Sequence, residues 1–74
     1  MRKFHWIKDE IKIDFPVDRA LKNAMEEAEE LDLAGSVEYG AVADAIDVLC
    51  KQSFAAGKMT QEQWDRMCMR YPYA

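Results

Sequence analysis

The stretch PVDRALKNAMEEAEELDL, residues 16–33, decides the fold class. Val17, Leu21, Ala24, Ala28 and Leu31 recur in it at spacings of four, three, four and three, widened by Ala20 and Met25. That rhythm is the apolar seam of an amphipathic helix. Pro16 suits a first turn, where its missing N–H has no helical partner to lose. Asp18 with Lys22, and Lys22 with Glu26, are i,i+4 pairs that support the exposed side. Gly35 is the breaker beyond Leu33, so the spacing predicts a helix over 16–33.

Downstream, Ser36 is placed to cap a second helix over 37–56. Its stripe is Val42, Ala45, Ile46, Leu49 and Ser53, with Tyr39 and Cys50 on one flank. Gly40 weakens the first turn by up to about 1 kcal/mol relative to Ala. Gly57 suits the position just past the end. A third helix over 61–70 has the best start signal in the chain. Thr60 and Gln63 form a capping box, and Met59 and Trp64 are spaced as a hydrophobic staple. Trp64, Met67, Cys68 and Tyr71 turn inward before Pro72 stops the helix. Upstream, Ile11, Ile13 and Phe15 alternate with Glu10, Lys12 and Asp14, which predicts a short N-terminal strand at 10–15. A lone strand cannot satisfy its own backbone hydrogen bonds. It would pair with a second copy, a partner or the C-terminal tail.

The expected fold is therefore mainly α, three short helices in a single small domain over residues 1–74. Ten alanines against twelve Leu, Ile and Val residues make a core light in bulk. A core of this size supplies only roughly 3–5 kcal/mol. Self-association as a homodimer, through 10–15 or the first helix's seam, would supplement it. Cys50 and Cys68 lack the spacing of a disulfide framework and read as free thiols of a cytoplasmic protein. No apolar run approaches the ~20 residues a membrane span needs.

Charge is laid out unevenly. Residues 26–50 hold eight acids and no Lys or Arg, while the segments on either side are each net +2. Glu29, Glu30 and Asp32 sit at the C-terminal end of the first helix, where the macrodipole disfavours acids. A local cost retained in a small domain points to a use. Glu26, Glu27, Glu29, Glu30 and Asp32 of the first helix and Asp44 and Asp47 of the second are the expected partner-binding residues, facing a protein with a basic surface.

Two resemblances bear on this band and on the element order. Glu27-x-x-Glu30 followed by Asp44-x-x-Asp47-Val-Leu resembles the paired acidic motifs of MazG-type nucleotide pyrophosphohydrolases, which implies four carboxylates holding magnesium. Asp44 departs from that family's usual Glu. With Val42, Ile46 and Leu49 facing the core, Asp44 and Asp47 are expected to point away from it. The order of alternating segment, helix, Gly-Ser turn and helix over residues 10–52 resembles ribbon-helix-helix proteins, which implies a strand-paired dimer presenting Glu10, Lys12 and Asp14 to DNA. Two acids among those three, and a pI near 4.8, argue against direct nucleic-acid binding. His5 is the only histidine, and no Gly-rich phosphate loop is present. The expected function is a non-catalytic interaction or regulatory module with no metal and no cofactor.

Overall fold

The structure, a computed structural model, describes residues 4–72. Helix α1 spans Arg19–Leu33, α2 spans Tyr39–Ala55 and α3 spans Gln61–Arg70. The third helix has the expected limits. Thr60 Oγ1 accepts from Gln63 N at 3.1 Å, and Gln63 Oε1 accepts from Thr60 N at 3.0 Å. The other two begin later than their patterns suggest. Asp18, not Pro16, stands at the start of α1 in extended conformation, and its carboxylate turns to Ser53 Oγ at 3.2 Å instead of capping its own helix. Ser36 accepts from Glu38 N in the preceding turn, so α2 opens at Tyr39.

Both interhelical turns close in the same way. Gly35 and Gly57 adopt positive φ of 67° and 75°, a conformation an L side chain rarely takes. Gly35 N donates to Asp32 O and Ser36 N to Leu31 O. Gly57 N and Lys58 N repeat the pattern on Phe54 O and Ser53 O. These paired bonds are Schellman motifs, which satisfy carbonyls that a helix end leaves open.

Helix α2 is the central element, packing on both α1 and α3, which do not pack on each other. Its buried face is Tyr39, Ala43, Ile46, Cys50 and Ser53. The predicted stripe was thus centred too far round. Val42 and Leu49 are half-buried, and Ala45 is exposed. Leu21 and Ala28 of α1 and Met67 of α3 complete the helical core, with Phe4, Ile7, Met59 and Tyr71 added from the flanking segments.

No strand forms among the described residues. The alternation over 10–15 survives as burial, with Ile11, Ile13 and Phe15 half-buried and Glu10, Lys12 and Asp14 exposed. The segment is an irregular arm on its own chain, and arginine side chains of α3 take the place of a strand partner. Arg66 Nε donates to Lys12 O at 2.6 Å, and Arg70 Nη1 donates to Ile11 O at 2.9 Å. The surfaces expected to pair with a second copy are turned inward: Ile13, Phe15, Val17, Ala24 and Leu31 all pack against the core.

Candidate protein-interaction surface

The seven acids singled out in the sequence separate into three environments. Glu26, Glu27 and Glu30 are exposed on α1, as is Asp44 on α2. Glu26, Glu27 and Glu30 make no ion pair among the described residues. Their outward position follows from the helix: Leu21, Ala28 and Asp32 define the buried face, and these three glutamates fall on its far side.

Glu29 and Asp47 are engaged inside the chain. Glu29 Oε2 lies 3.6 Å from Arg70 Nη2 and accepts from the Tyr71 hydroxyl at 3.3 Å. The same hydroxyl accepts from Arg70 Nε at 3.1 Å, so these three side chains bridge the gap between α1 and α3. Tyr71 is buried, folded back onto the domain, while Tyr73 lies outside the described residues. Asp47, expected to point away from the core, leans toward α3. Its Oδ1 accepts from Trp64 Nε1 at 3.0 Å and from Cys68 Sγ at 3.3 Å. The Trp64 ring also meets Phe54, with centroids 5.4 Å apart.

Asp32 departs most from expectation. It is fully buried, and its carboxylate accepts three consecutive backbone N–H groups, from His5 at 2.5 Å, Trp6 at 2.9 Å and Ile7 at 2.7 Å. It anchors the arm and offers nothing to an outside partner. A signal for this was present in the spacing. Leu21, Met25, Ala28 and Asp32 form one run of the heptad rhythm, so Asp32 occupies the inward phase of α1. Above it Trp6 stacks on Tyr39 with ring centroids 5.0 Å apart.

The paired-acid arrangement is not assembled. Among the described residues no group of three or more His, Cys, Asp or Glu side chains is positioned to hold a metal ion.

Burial governs the titration of the remaining groups. Cys50, inside the core, is pushed up to about 12 by burial first and then by Cys68 and Asp47. Cys68 is exposed as a residue. Desolvation about its sulfur, followed by the Asp47 carboxylate, raises it to about 11. Both thiols are therefore protonated near neutrality and poor nucleophiles. Tyr39 is held well above the usual phenol range by burial and then by the Asp32 charge.

Two grooves of about 380 and 290 Å³ indent the surface. One is lined by Asp14, Phe15, Thr60, Glu62, Gln63 and Arg66, the other mainly by Asp18, Leu21, Leu49, Gln52, Ser53 and Lys58. In the first, Thr60 and Gln63 are committed to the capping box and Arg66 to the arm. In the second, Asp18 and Ser53 are committed to each other. No described helix is long and apolar enough to cross a membrane. Comparison of the chain with protein families, with curated proteins and with solved structures finds no match.

Proposed function

We propose that this chain is a non-catalytic interaction module that captures a protein with a basic surface through the outer face of α1. The observation that supports this most is the state of Glu26, Glu27 and Glu30: exposed, and without an ion pair among the described residues. Arg66 and Arg70 are meanwhile directed to the arm. A domain that only needed its charges balanced would place bases among these acids, yet residues 26–50 contain none. Such a face accelerates encounter with a basic partner and makes binding sensitive to salt. The free thiols Cys50 and Cys68 accord with a reducing, cytoplasmic setting. Asp32, Glu29 and Asp47 leave the binding set because their carboxylates are occupied within the fold, and Asp44 stays at its margin.

The test is capture from the native cell by wild type and by Glu27→Lys/Glu30→Lys, at increasing ionic strength, with folding verified by circular dichroism. The reading expects partner loss in the folded variant and steep salt dependence in the wild type. A partner retained by the variant and insensitive to salt defeats it.

A further inference from the structure

We propose that Cys50 and Cys68 are a redox pair that closes into a disulfide between α2 and α3 when the chain meets oxidised glutathione. Asp47, Cys50 and Phe54 follow one another at spacings of three and four, so they form one row along α2. Trp64 and Cys68, four apart, form a row of α3 in the same way. The two rows meet. At one end Asp47 Oδ1 accepts from Trp64 Nε1 at 3.0 Å and from Cys68 Sγ at 3.3 Å. At the other, the Phe54 and Trp64 ring centroids lie 5.4 Å apart. Cys50 sits one turn from each of these contacts and is fully buried, which turns its thiol onto the row of Trp64 and Cys68. The electrostatics agree with this placement. After burial, Cys68 weighs most on the Cys50 proton, ahead of Asp47 on the same helix as Cys50.

Facing positions on directly packed helices suit such a bond, and α2 and α3 pack directly. Helix axes about 8–10 Å apart, with Cα atoms about 2.3 Å off each axis, bring facing Cα atoms near the roughly 4.4–6.8 Å that a disulfide spans. Access sets the order of the chemistry, because Cys68 is exposed and Cys50 is buried. The Cys68 thiolate attacks one sulfur of oxidised glutathione, and a glutathione thiolate leaves and takes up a proton. The Cys50 thiolate then attacks Cys68 Sγ in this mixed disulfide and expels the second glutathione thiolate, which is protonated in turn. Two electrons pass from the protein thiols to the glutathione disulfide, and both thiol protons end on glutathione. Asp47 loses the Cys68 S–H donor but keeps Trp64 Nε1, so its carboxylate is not stranded. Both thiols hold their protons near neutrality, so exchange is slow and runs over hours.

The bond joins α2 to the helix whose Arg66 and Arg70 hold the arm. It lies on the contact between α2 and α3, not on the outer face of α1. Its failure and the failure of the proposed function are therefore distinguishable.

The full chain is equilibrated with mixtures of reduced and oxidised glutathione, in buffer and in denaturing urea, then quenched with acid and read by thiol titration and intact mass. Wild type is expected to lose both thiols together and two hydrogens from its mass, with no glutathione attached and no link between chains. The fold should favour the bond, so half-oxidation should need a glutathione mixture less oxidising by at least about tenfold in buffer than in urea. The bond should favour the fold equally, raising the melting temperature by about 5 °C or more with helix content unchanged. Cys50→Ala should stop at a glutathione adduct on Cys68, and Cys68→Ser should stay unmodified. Thiols that remain free, an adduct on Cys68 that wild type does not resolve, chains linked to one another, or a bond that forms no more readily in buffer than in urea overturns the proposal.

Discussion

Asp32, buried in the last turn of α1, accepts the backbone N–H of Ile7 at 2.7 Å. Trp6 and His5 donate to the same carboxylate. An acid at a helix C-terminus meets an unfavourable macrodipole, and here the three N–H donors offset it. Asp32→Ala would leave all three without their acceptor. Each hydrogen bond to a charged group contributes about 1.5–3 kcal/mol, so the loss should exceed about 3 kcal/mol, most of the stability of a domain this small. Urea denaturation should show the variant largely unfolded in buffer. A ΔΔG below about 1 kcal/mol would mean the arm is not held there.

Tyr39 gives the opposite sign. Its ring is buried and stacked on Trp6, but its hydroxyl has no hydrogen-bond partner among the described residues. An unsatisfied buried hydroxyl costs about 1–3 kcal/mol. Tyr39→Phe keeps the ring and removes that cost, so it should raise the melting temperature. A clear fall in Tm would show that the hydroxyl has a partner after all.

The arm's attachment to α3 runs through the guanidinium of Arg70, which reaches Ile11 O, the Tyr71 hydroxyl and Glu29. A lysine ammonium cannot serve three such directions with the same planar fork. Arg70→Lys should cost about 1–2 kcal/mol and, by loosening the arm, speed amide exchange at Lys8, whose N–H donates to Arg70 O at 3.0 Å. Exchange at Lys8 no faster than in wild type would contradict this.

Alkaline stability follows from Cys50 and Cys68. Their folded values of about 12 and 11 stand above an ordinary value of 9.0. A group whose pKa is raised on folding holds its proton more tightly in the native state. Its contribution is complete below pH 9 and is lost as pH rises through the folded values. Melting temperature should therefore start to fall near pH 9. With Cys50→Ala/Cys68→Ala the fall should begin nearer pH 10, the ordinary value of Tyr39, which is also raised. Identical pH profiles for the two proteins would exclude the thiols as the source.

How much of this was legible in the chain depended on whether the relevant physics is local. The capping box of Thr60 and Gln63 involves residues one turn apart, and α3 starts and ends where that pattern places it. The alternation over 10–15 correctly separated inward from outward side chains. It did not reveal what the backbone would pair with, because Arg66 and Arg70 lie far along the chain. Acidic residues clustered in sequence were read as one band. Position on the helix divides them instead, sending Asp32 inward, Glu29 to Arg70 and leaving Glu26, Glu27 and Glu30 outside. The sequence pattern pairs Asp18 with Lys22 along the helix, and only folding brings Ser53 within reach of its carboxylate.

The hydrogen bond from Arg70 to Ile11 O also constrains the order in which the molecule can be made. It joins groups 59 residues apart, and closing so long a loop carries an entropic cost that early local contacts do not recover. Helical domains usually fold fast because their contacts are local. Here α1 and α2 can pair as soon as both exist, and Asp32 can then take the N–H groups of His5, Trp6 and Ile7, but the stretch around Ile11 and Lys12 must wait until α3 has been synthesised. During translation the nascent chain therefore carries the stretch from Lys8 to Lys12 without its α3 hydrogen bonds until Arg66 and Arg70 have been added.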